Sequence, residues 1–163
     1  MNFRRAIRDD LEGINEIYNE AVVNSTASFH LQPQSLDYRR EWFDHHDDRF
    51  AVYVAEDEGV VEGWSSLSRW SDRPAYNATA ESSVYIRERS QRMGLGRQLQ
   101  TVIMEHASEC QFHTLIAQIS AENDGSIRMH KQFGFELIGT MKEAGFKFGR
   151  WIDVVMMQVM LKE

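Results

Sequence analysis

The sequence is short of the features that define several large functional classes. It holds one cysteine, Cys110, which excludes an intrachain disulfide framework and makes a reducing compartment, the cytoplasm, the expectation. Only two prolines and ten glycines occur in 163 residues, with no repeat, low-complexity tract or linker, so one domain over residues 1–163 is expected. No apolar run approaches the roughly 20 residues of a membrane span. The opening Met1-Asn2-Phe3-Arg4-Arg5 runs straight into strand-like sequence without an apolar stretch of signal-peptide length. Basic residues are in the minority, 18 Lys and Arg against 25 Asp and Glu. The resulting charge of −7 argues against nucleic acid as a partner. The histidines and the cysteine show no metal-ligand spacing, and a helix would turn the adjacent His45 and His46 in different directions. A lone helical cysteine such as Cys110 is ordinarily inert packing.

What is present is an alternation of elements. Phe3–Arg8 reads as a strand, and Asp9 or Asp10 can cap a helix whose stripe is Leu11, Ile14, Ile17, Tyr18, Ala21 and Val22. A polar loop from Asn24 to Gln34 carries Phe29. Ser35 can cap a second helix to about Asp47, with Leu36, Trp42 and Phe43 inward. Phe50–Glu56 and Val60–Leu67 flank Asp57-Glu58-Gly59, a hairpin signal. A loop with Trp70, Arg73, Pro74 and Tyr76 leads to a strand from Ala80 to Ile86. A third helix runs to about Glu109, followed by a strand from His113 to Ser120. Asn123–Phe133 is a short helix closed by Gly134. Phe135–Lys142 and Ile152–Leu161 are closing strands, the second carrying Met156, Met157 and Met160 as core, with Ala144–Trp151 between them. The order is that of a mixed α/β sheet with two helices early and two late.

The most informative segment is Gln91-Arg92-Met93-Gly94-Leu95-Gly96, at the junction of the Ala80–Ile86 strand and the third helix. Glycines there let the backbone approach a ligand, and the helix offers unpaired N–H groups to an anion. Arg87, Arg89, Arg92 and Arg97 crowd the region against Glu88 alone, a basic patch in an acidic protein. A dinucleotide fingerprint needs a third glycine where Leu99 stands, and a phosphate-binding Walker loop needs Gly-Lys-Ser/Thr where Gly96 is followed by Arg97-Gln98. A plain glycine-assisted turn fits the same letters, and a solvated face fits Arg87 and Arg89 individually.

The remaining pattern, Gln/Arg-x-x-Gly-x-Gly/Ala, resembles the acetyl-CoA pyrophosphate loop of the GNAT N-acetyltransferases. Further segments narrow the resemblance: Asn24-Ser-Thr-Ala-Ser-Phe29, Arg73-Pro-Ala-Tyr76, Glu81-Ser-Ser-Val-Tyr85, Asn123 with Ser126 and His130, Gly134-Phe135, and Gly145-Phe-Lys147-Phe-Gly149-Arg-Trp151-Ile-Asp153-Val. Together they resemble the phosphinothricin and methionine sulfoximine acetyltransferases over residues 3 to about 161. The resemblance implies a GNAT fold, a mostly antiparallel mixed sheet of six or seven strands flanked by four helices. It also implies acetyl-CoA as co-substrate, a small amino acid as acceptor, direct transfer in a ternary complex, and a homodimer. A protein N-terminus or another amine as acceptor, or a non-catalytic acyl-CoA-binding module, are the alternatives.

Residue by residue, the resemblance places a base at Glu81, for which strand alternation alone admits either a polar cavity or the wet face. It puts His130 in the site as an assistant, where residue type alone suggests a partly buried helix histidine. It assigns Val84, Tyr85 and Ile86 (through their backbone), Asn123 and Ser126 to pantetheine, and Gln91, Arg92, Met93, Gly94, Leu95, Gly96 and Arg97 to the diphosphate. Asn123 is equally a helix cap. Arg73 and Tyr76 are implied to grip the acceptor, Arg73 by a bidentate carboxylate contact. Phe29 and Trp70 are implied to wall its side chain. Lys147, Trp151 and Asp153 match a segment that packs at a dimer interface and approaches the neighbouring site.

Overall fold

A computed structural model describes residues 1–162. Its seven-stranded sheet has the order β1-β2-β3-β4-β5-β7-β6. The strands are β1 (Asn2–Arg5), β2 (Val52–Asp57), β3 (Val60–Arg69), β4 (Thr79–Ile86), β5 (Thr114–Ser120), β6 (Glu136–Lys147) and β7 (Arg150–Met160). The helices are α1 (Leu11–Asn24), α2 (Leu36–Asp44), α3 (Leu95–Glu109) and α4 (Asp124–Gln132). Every strand pairing is antiparallel except β4 with β5, as the resemblance implied. No helix among the described residues is long and apolar enough to cross a membrane.

Two apolar layers sandwich the sheet, one on each face. On one face α1 and α2 cover Val52, Val54 and Trp64 with Leu11, Ile14 and Ile17. On the other, α3 buries Ile103 and Ala107 against Leu67, Ala80, Leu115 and Met157. Side-chain alternation along the strands sorts residues between these layers. Trp64, Ser66 and Ser68 of β3 stand opposite Tyr85, Ser83 and Glu81 of β4, and the Trp64 and Tyr85 rings stack with centroids 4.8 Å apart. That row faces α1 and α2, whereas Ala80 and its even-numbered neighbours face α3.

Several element ends differ from the sequence reading for identifiable reasons. β1 stops at Arg5, and the chain turns into a 3₁₀ segment at Arg8–Asp10, with Arg4 ion-paired to Asp10 (2.7 Å) and Glu56 (2.9 Å). Asp10 stands at the N-terminus of α1 but spends its carboxylate on Arg4 and on the N–H of Ile7 at 2.8 Å, not on the helix. α2 is capped as expected, Ser35 Oγ accepting from the N–H of Tyr38 at 3.1 Å, yet it ends at Asp44. The expected connection over Ala144–Trp151 is strand: β6 and β7 continue into a tight hairpin at Phe148-Gly149, both residues at positive φ. Met157 is core, as read, but Met160 is exposed.

Candidate active site

β4 and β5 pair only at Thr79 with Thr114, Ala80 with Leu115, and Glu81 with Ile116. Beyond that point they splay. Ser82–Tyr85 on one side and Ala117–Ser120 on the other line a narrow slot of about 60 Å³, closed below by Asn123, Ser126 and His130. The slot opens into a cleft of about 950 Å³ between the end of α1, the Gln91–Arg97 segment and α4. Ala27, Val84, Tyr85, Asn123 and Ser126 line both, so the two form one channel. The loop after α1 bridges the splay. Tyr85 donates to the Ala27 carbonyl at 3.0 Å, and Thr26 Oγ1 lies 2.8 Å from Ser120 Oγ.

The wide end is built for a polyanion. Gly94 precedes α3 at φ +84°, and no side chain caps the helix, so the first-turn N–H groups face the cleft without an intrahelical partner. Gly96 leaves room that a side chain would take, since a Cβ there would stand 3.4 Å from Met129 Sδ. Arg92 and Arg97 line the cleft with Gln91, whose amide folds back to the Ile86 carbonyl at 3.3 Å. These residues fit a diphosphate.

The other two arginines do not join them. Arg87 lies 3.1 Å from Glu16, 3.5 Å from Glu20 and 3.8 Å from Glu62, and donates to the Val61 carbonyl at 3.1 Å. Arg89 pairs with Glu62, which Ser90 also contacts at 2.6 Å. Arg89, helped by Ser90 and Arg87, holds the Glu62 carboxyl below its ordinary value against the effect of burial. The patch read from sequence is thus half framework, because glutamates distant in the chain converge on it. Met93 is exposed and Leu95 is buried in the core, and neither lines the channel. Val84, Tyr85 and Ile86 do line it. Asn123 Oδ1 accepts from the N–H of Ser126 at 3.1 Å, so the cap and slot roles coincide in one residue.

Glu81 is the last β4 residue paired with β5, one position before the slot lining begins at Ser82, and does not itself line the slot or the cleft. Burial raises its carboxyl above the ordinary carboxylate value, opposed by the hydrogen bond from Gln118 Nε2 to Oε2 at 3.1 Å. Gln118 went unremarked in sequence, although it is the one amide in the otherwise apolar run Leu115-Ile-Ala-Gln-Ile119. His130 is buried on α4, its Nδ1 2.8 Å from the Ser126 carbonyl and its ring edge-on to Phe135 at 4.9 Å. A carbonyl only accepts, so Nδ1 carries the hydrogen. Burial lowers the ring's pKa and keeps it neutral. His130 packs on the layer that Ala80 faces, and Glu81 alternates to the opposite face. The structure therefore does not bring together the acid–base pair that the resemblance implied.

The acceptor residues are also less gathered than expected. Arg73 and Tyr76 are exposed at a short 3₁₀ turn over Pro74–Tyr76, and among the described residues the Arg73 side chain makes no hydrogen bond or ion pair. Phe29 is 40% exposed and packs over Gly145, where a Cβ would meet its ring at 2.9 Å. Half-buried Trp70 lines neither the slot nor the cleft. Lys147 is buried and donates to the Ser28 carbonyl of its own chain at 2.7 Å. Trp151 is exposed, and Asp153 accepts the N–H of Glu143 at 2.7 Å. Among the described residues no cluster of three or more His, Cys, Asp or Glu could hold a metal ion.

The Acetyltransferase (GNAT) domain family matches residues 3–156 of the sequence. The chain belongs to the GNAT acetyltransferase family. A methionine sulfoximine/methionine sulfone acetyltransferase of Salmonella typhimurium is 36% identical over 164 aligned positions, covering 100% of this chain and 96% of that protein. A phosphinothricin acetyltransferase from Sinorhizobium meliloti, solved in complex with acetyl-CoA, superposes with a TM-score of 0.95 at 35% identity, covering 99% of this chain and 89% of that one. A structure of a ribosomal-protein-alanine N-acetyltransferase from Brucella melitensis gives a TM-score of 0.95 at 38% identity, with 99% and 100% covered. The channel of this GNAT chain lies in the sheet that it shares with these structures.

Proposed function

We propose that the protein is an acetyl-CoA-dependent N-acetyltransferase acting on the amine of a small amino acid such as methionine sulfoximine, methionine sulfone or phosphinothricin. The activity is of the detoxification type, in a cytoplasmic homodimer. The observation that carries the reading is Glu81: a half-buried carboxylate of raised proton affinity at the apex of the splay, where the slot meets the paired strands. Acetyl-CoA supplies the activated acyl group. Val84–Ile86 border the pantetheine arm with Asn123 and Ser126, while Arg92, Arg97 and the first turn of α3 hold the diphosphate. Glu81 takes the proton that the acceptor amine must lose, and Gln118 fixes the carboxylate's orientation. Neutral His130 shapes the floor of the slot.

Arg73, Tyr76 and Phe29 are the acceptor's contacts in this reading. Support for the homodimer is the apolar surface of the β6–β7 hairpin, with Leu137, Ile138, Met141, Phe146 and Trp151 all exposed. A second reading, acylation of a protein N-terminus, is favoured by the open setting of Arg73 and Tyr76 and by the name of the Brucella relative. An acceptor panel separates the two: thiol release from acetyl-CoA with methionine sulfoximine, methionine sulfone, phosphinothricin, polyamines and alanine-initiated peptides. Turnover on the first three supports the proposal, turnover on peptides alone replaces it, and binding without thiol release on any amine indicates a non-catalytic module.

A further inference from the structure

Five of the six histidines lie outside the slot, and one of them is connected towards Glu81. His46 follows α2, its ring tilted on Trp42 with centroids 4.3 Å apart. Its Nδ1 lies 2.8 Å from the Trp42 carbonyl and its Nε2 3.3 Å from Ser68 Oγ. The carbonyl only accepts, so Nδ1 carries the hydrogen and Nε2 of the neutral ring must accept from the Ser68 hydroxyl. That leaves the Ser68 lone pairs free to receive a second proton. Ser68 is the register partner of Glu81 across β3 and β4. Paired residues point to one face with Cβ atoms roughly 4.5–5.5 Å apart, a gap that one water bridges between short polar side chains. Gln118 engages Oε2 of Glu81 from the β5 side, so Ser68 approaches from the other flank.

Amide formation leaves a proton to dispose of. An acceptor that arrives as an ammonium sheds two protons, and the departing CoA thiolate takes back one. One proton per turnover must therefore leave, and Glu81 must be emptied before it can act again. We infer that Ser68 and His46 form the outlet for that proton, running from the Glu81 carboxyl through one water to Ser68 Oγ and on to His46 Nε2. The Glu81 O–H bond breaks, the serine O–H is broken and remade, and a new N–H forms on His46. The partly exposed imidazolium then breaks its long Nε2–Ser68 contact, gives the Nε2 proton to a solvent water and returns to the neutral Nδ1–H form.

Burial, His45 and Arg39 disfavour charge on His46, while the Trp42 carbonyl and Asp47 favour it, so the ring rests neutral and carries a proton only in passing. Asp47 is adjacent, its carboxylate held by the N–H groups of Arg49 and Phe50 and 3.9 Å from Arg69. His45 turns its Nδ1 to the Glu41 carbonyl at 2.8 Å. Arg39 of α2 stands 4.6 Å from the Trp42 ring, and from the sheet Arg69 reaches Asp47 while Ser68 reaches His46 itself. Burial lowers His46 and raises Glu81, bringing donor and acceptor closer in proton affinity than free Glu and His are.

This outlet rests on Glu81 being the base, and the experiment separates the two claims. Turnover of Ser68→Ala, Ser68→Thr, His46→Gln, the Ser68→Ala/His46→Gln double variant and Glu81→Gln is measured from pH 5.5 to 8.5, with methionine sulfoximine or the best acceptor of the panel. Ser68→Ala and His46→Gln each lower kcat about ten-fold with KM for acetyl-CoA unchanged, and the double variant is no slower than either alone. Ser68→Thr retains wild-type turnover, and added imidazole restores much of the loss in Ser68→Ala. Wild-type kcat in Ser68→Ala, or multiplying losses without imidazole rescue, overturns the outlet. Should His46→Gln lower the thermal midpoint, Ser68→Ala decides. An inactive Glu81→Gln beside a fully active Ser68→Ala removes the outlet alone, whereas a fully active Glu81→Gln removes both.

Discussion

Arg97 and Arg87 lie ten positions apart in one arginine-rich segment, and the structure gives them opposite jobs. Arg97 lines the cleft and has no carboxylate within ion-pairing distance among the described residues. Replacing it with alanine should raise the Kd for acetyl-CoA about ten-fold, the equivalent of ~1.4 kcal/mol, as expected for one charge-assisted phosphate contact. The effect should shrink at high salt, because the contact is exposed. Arg87 is 12% exposed and closes a cluster around Glu62, itself 9% exposed. Removing one partner of a buried pair costs about 3–5 kcal/mol. Glu62 keeps Arg89 and Ser90, so the expected loss for Arg87→Ala is smaller, about 2 kcal/mol. At ~2–4 °C per kcal/mol for a chain of this size, the midpoint falls by about 4–8 °C. The pH dependence has a definite sign. The Glu62 carboxyl is held below its ordinary value, so its contribution is present at neutral pH and fades as pH falls through the folded value, below about 4.5. The penalty of Arg87→Ala fades with it. Calorimetric titration with acetyl-CoA and thermal unfolding of both variants read these effects independently. An Arg87→Ala variant that loses affinity like Arg97→Ala, at wild-type stability, would falsify the division.

Two further outcomes follow from the site. Glu81→Gln should lower kcat by about 10²–10³ at neutral pH with acetyl-CoA affinity intact, which rapid-mixing and binding measurements separate. Because burial raises Glu81, the wild type loses stability as pH rises through the folded value, so the thermal midpoint of the Gln variant should gain on it towards pH 8 and match it near pH 4. Asn123→Ala removes the cap of α4 and should cost about 1 kcal/mol in denaturant unfolding; with acetyl-CoA present the deficit widens if the same amide meets pantetheine, because the variant then binds the ligand more weakly, and an unchanged deficit would deny it the second role.

Much of this architecture is legible in one dimension. The Glu58-Gly59 turn, the Ser35 and Asn123 caps and the inward stripe of α1 are local chemistry, and all appear where the sequence puts them. What is not legible depends on residues far apart in the chain. Arg87 and Arg89 look available until Glu16, Glu20 and Glu62 arrive from other elements. The hairpin at Phe148-Gly149 looks like a loop because β6 is exposed nearly along its whole length and shows no alternation. Glu81 and His130 are partners in what the resemblance implies, and strand parity sets them on opposite faces. Arg39 is the plainest case. It neighbours Arg40 in sequence and is 1% exposed among Tyr18, Trp42 and Trp64, with its Nε 3.3 Å from Asn15.

The seam between β4 and β5 is three residue pairs long, and it is the sole join between the β1–β4 and β5–β7 portions of the sheet. Within the sheet the two portions are plates on a short weld, backed by the core under α3 that both share. An unfoldase pulling on the chain from β7 would peel the smaller plate at that weld before disturbing the larger one. A pantetheine arm lodged in the slot lengthens the weld from within, and occupancy at a hundred times Kd adds about 2.7 kcal/mol against opening. Acetyl-CoA supply would then govern the protein's survival as well as its rate, so that starvation for the donor thins out the molecules that have nothing to transfer.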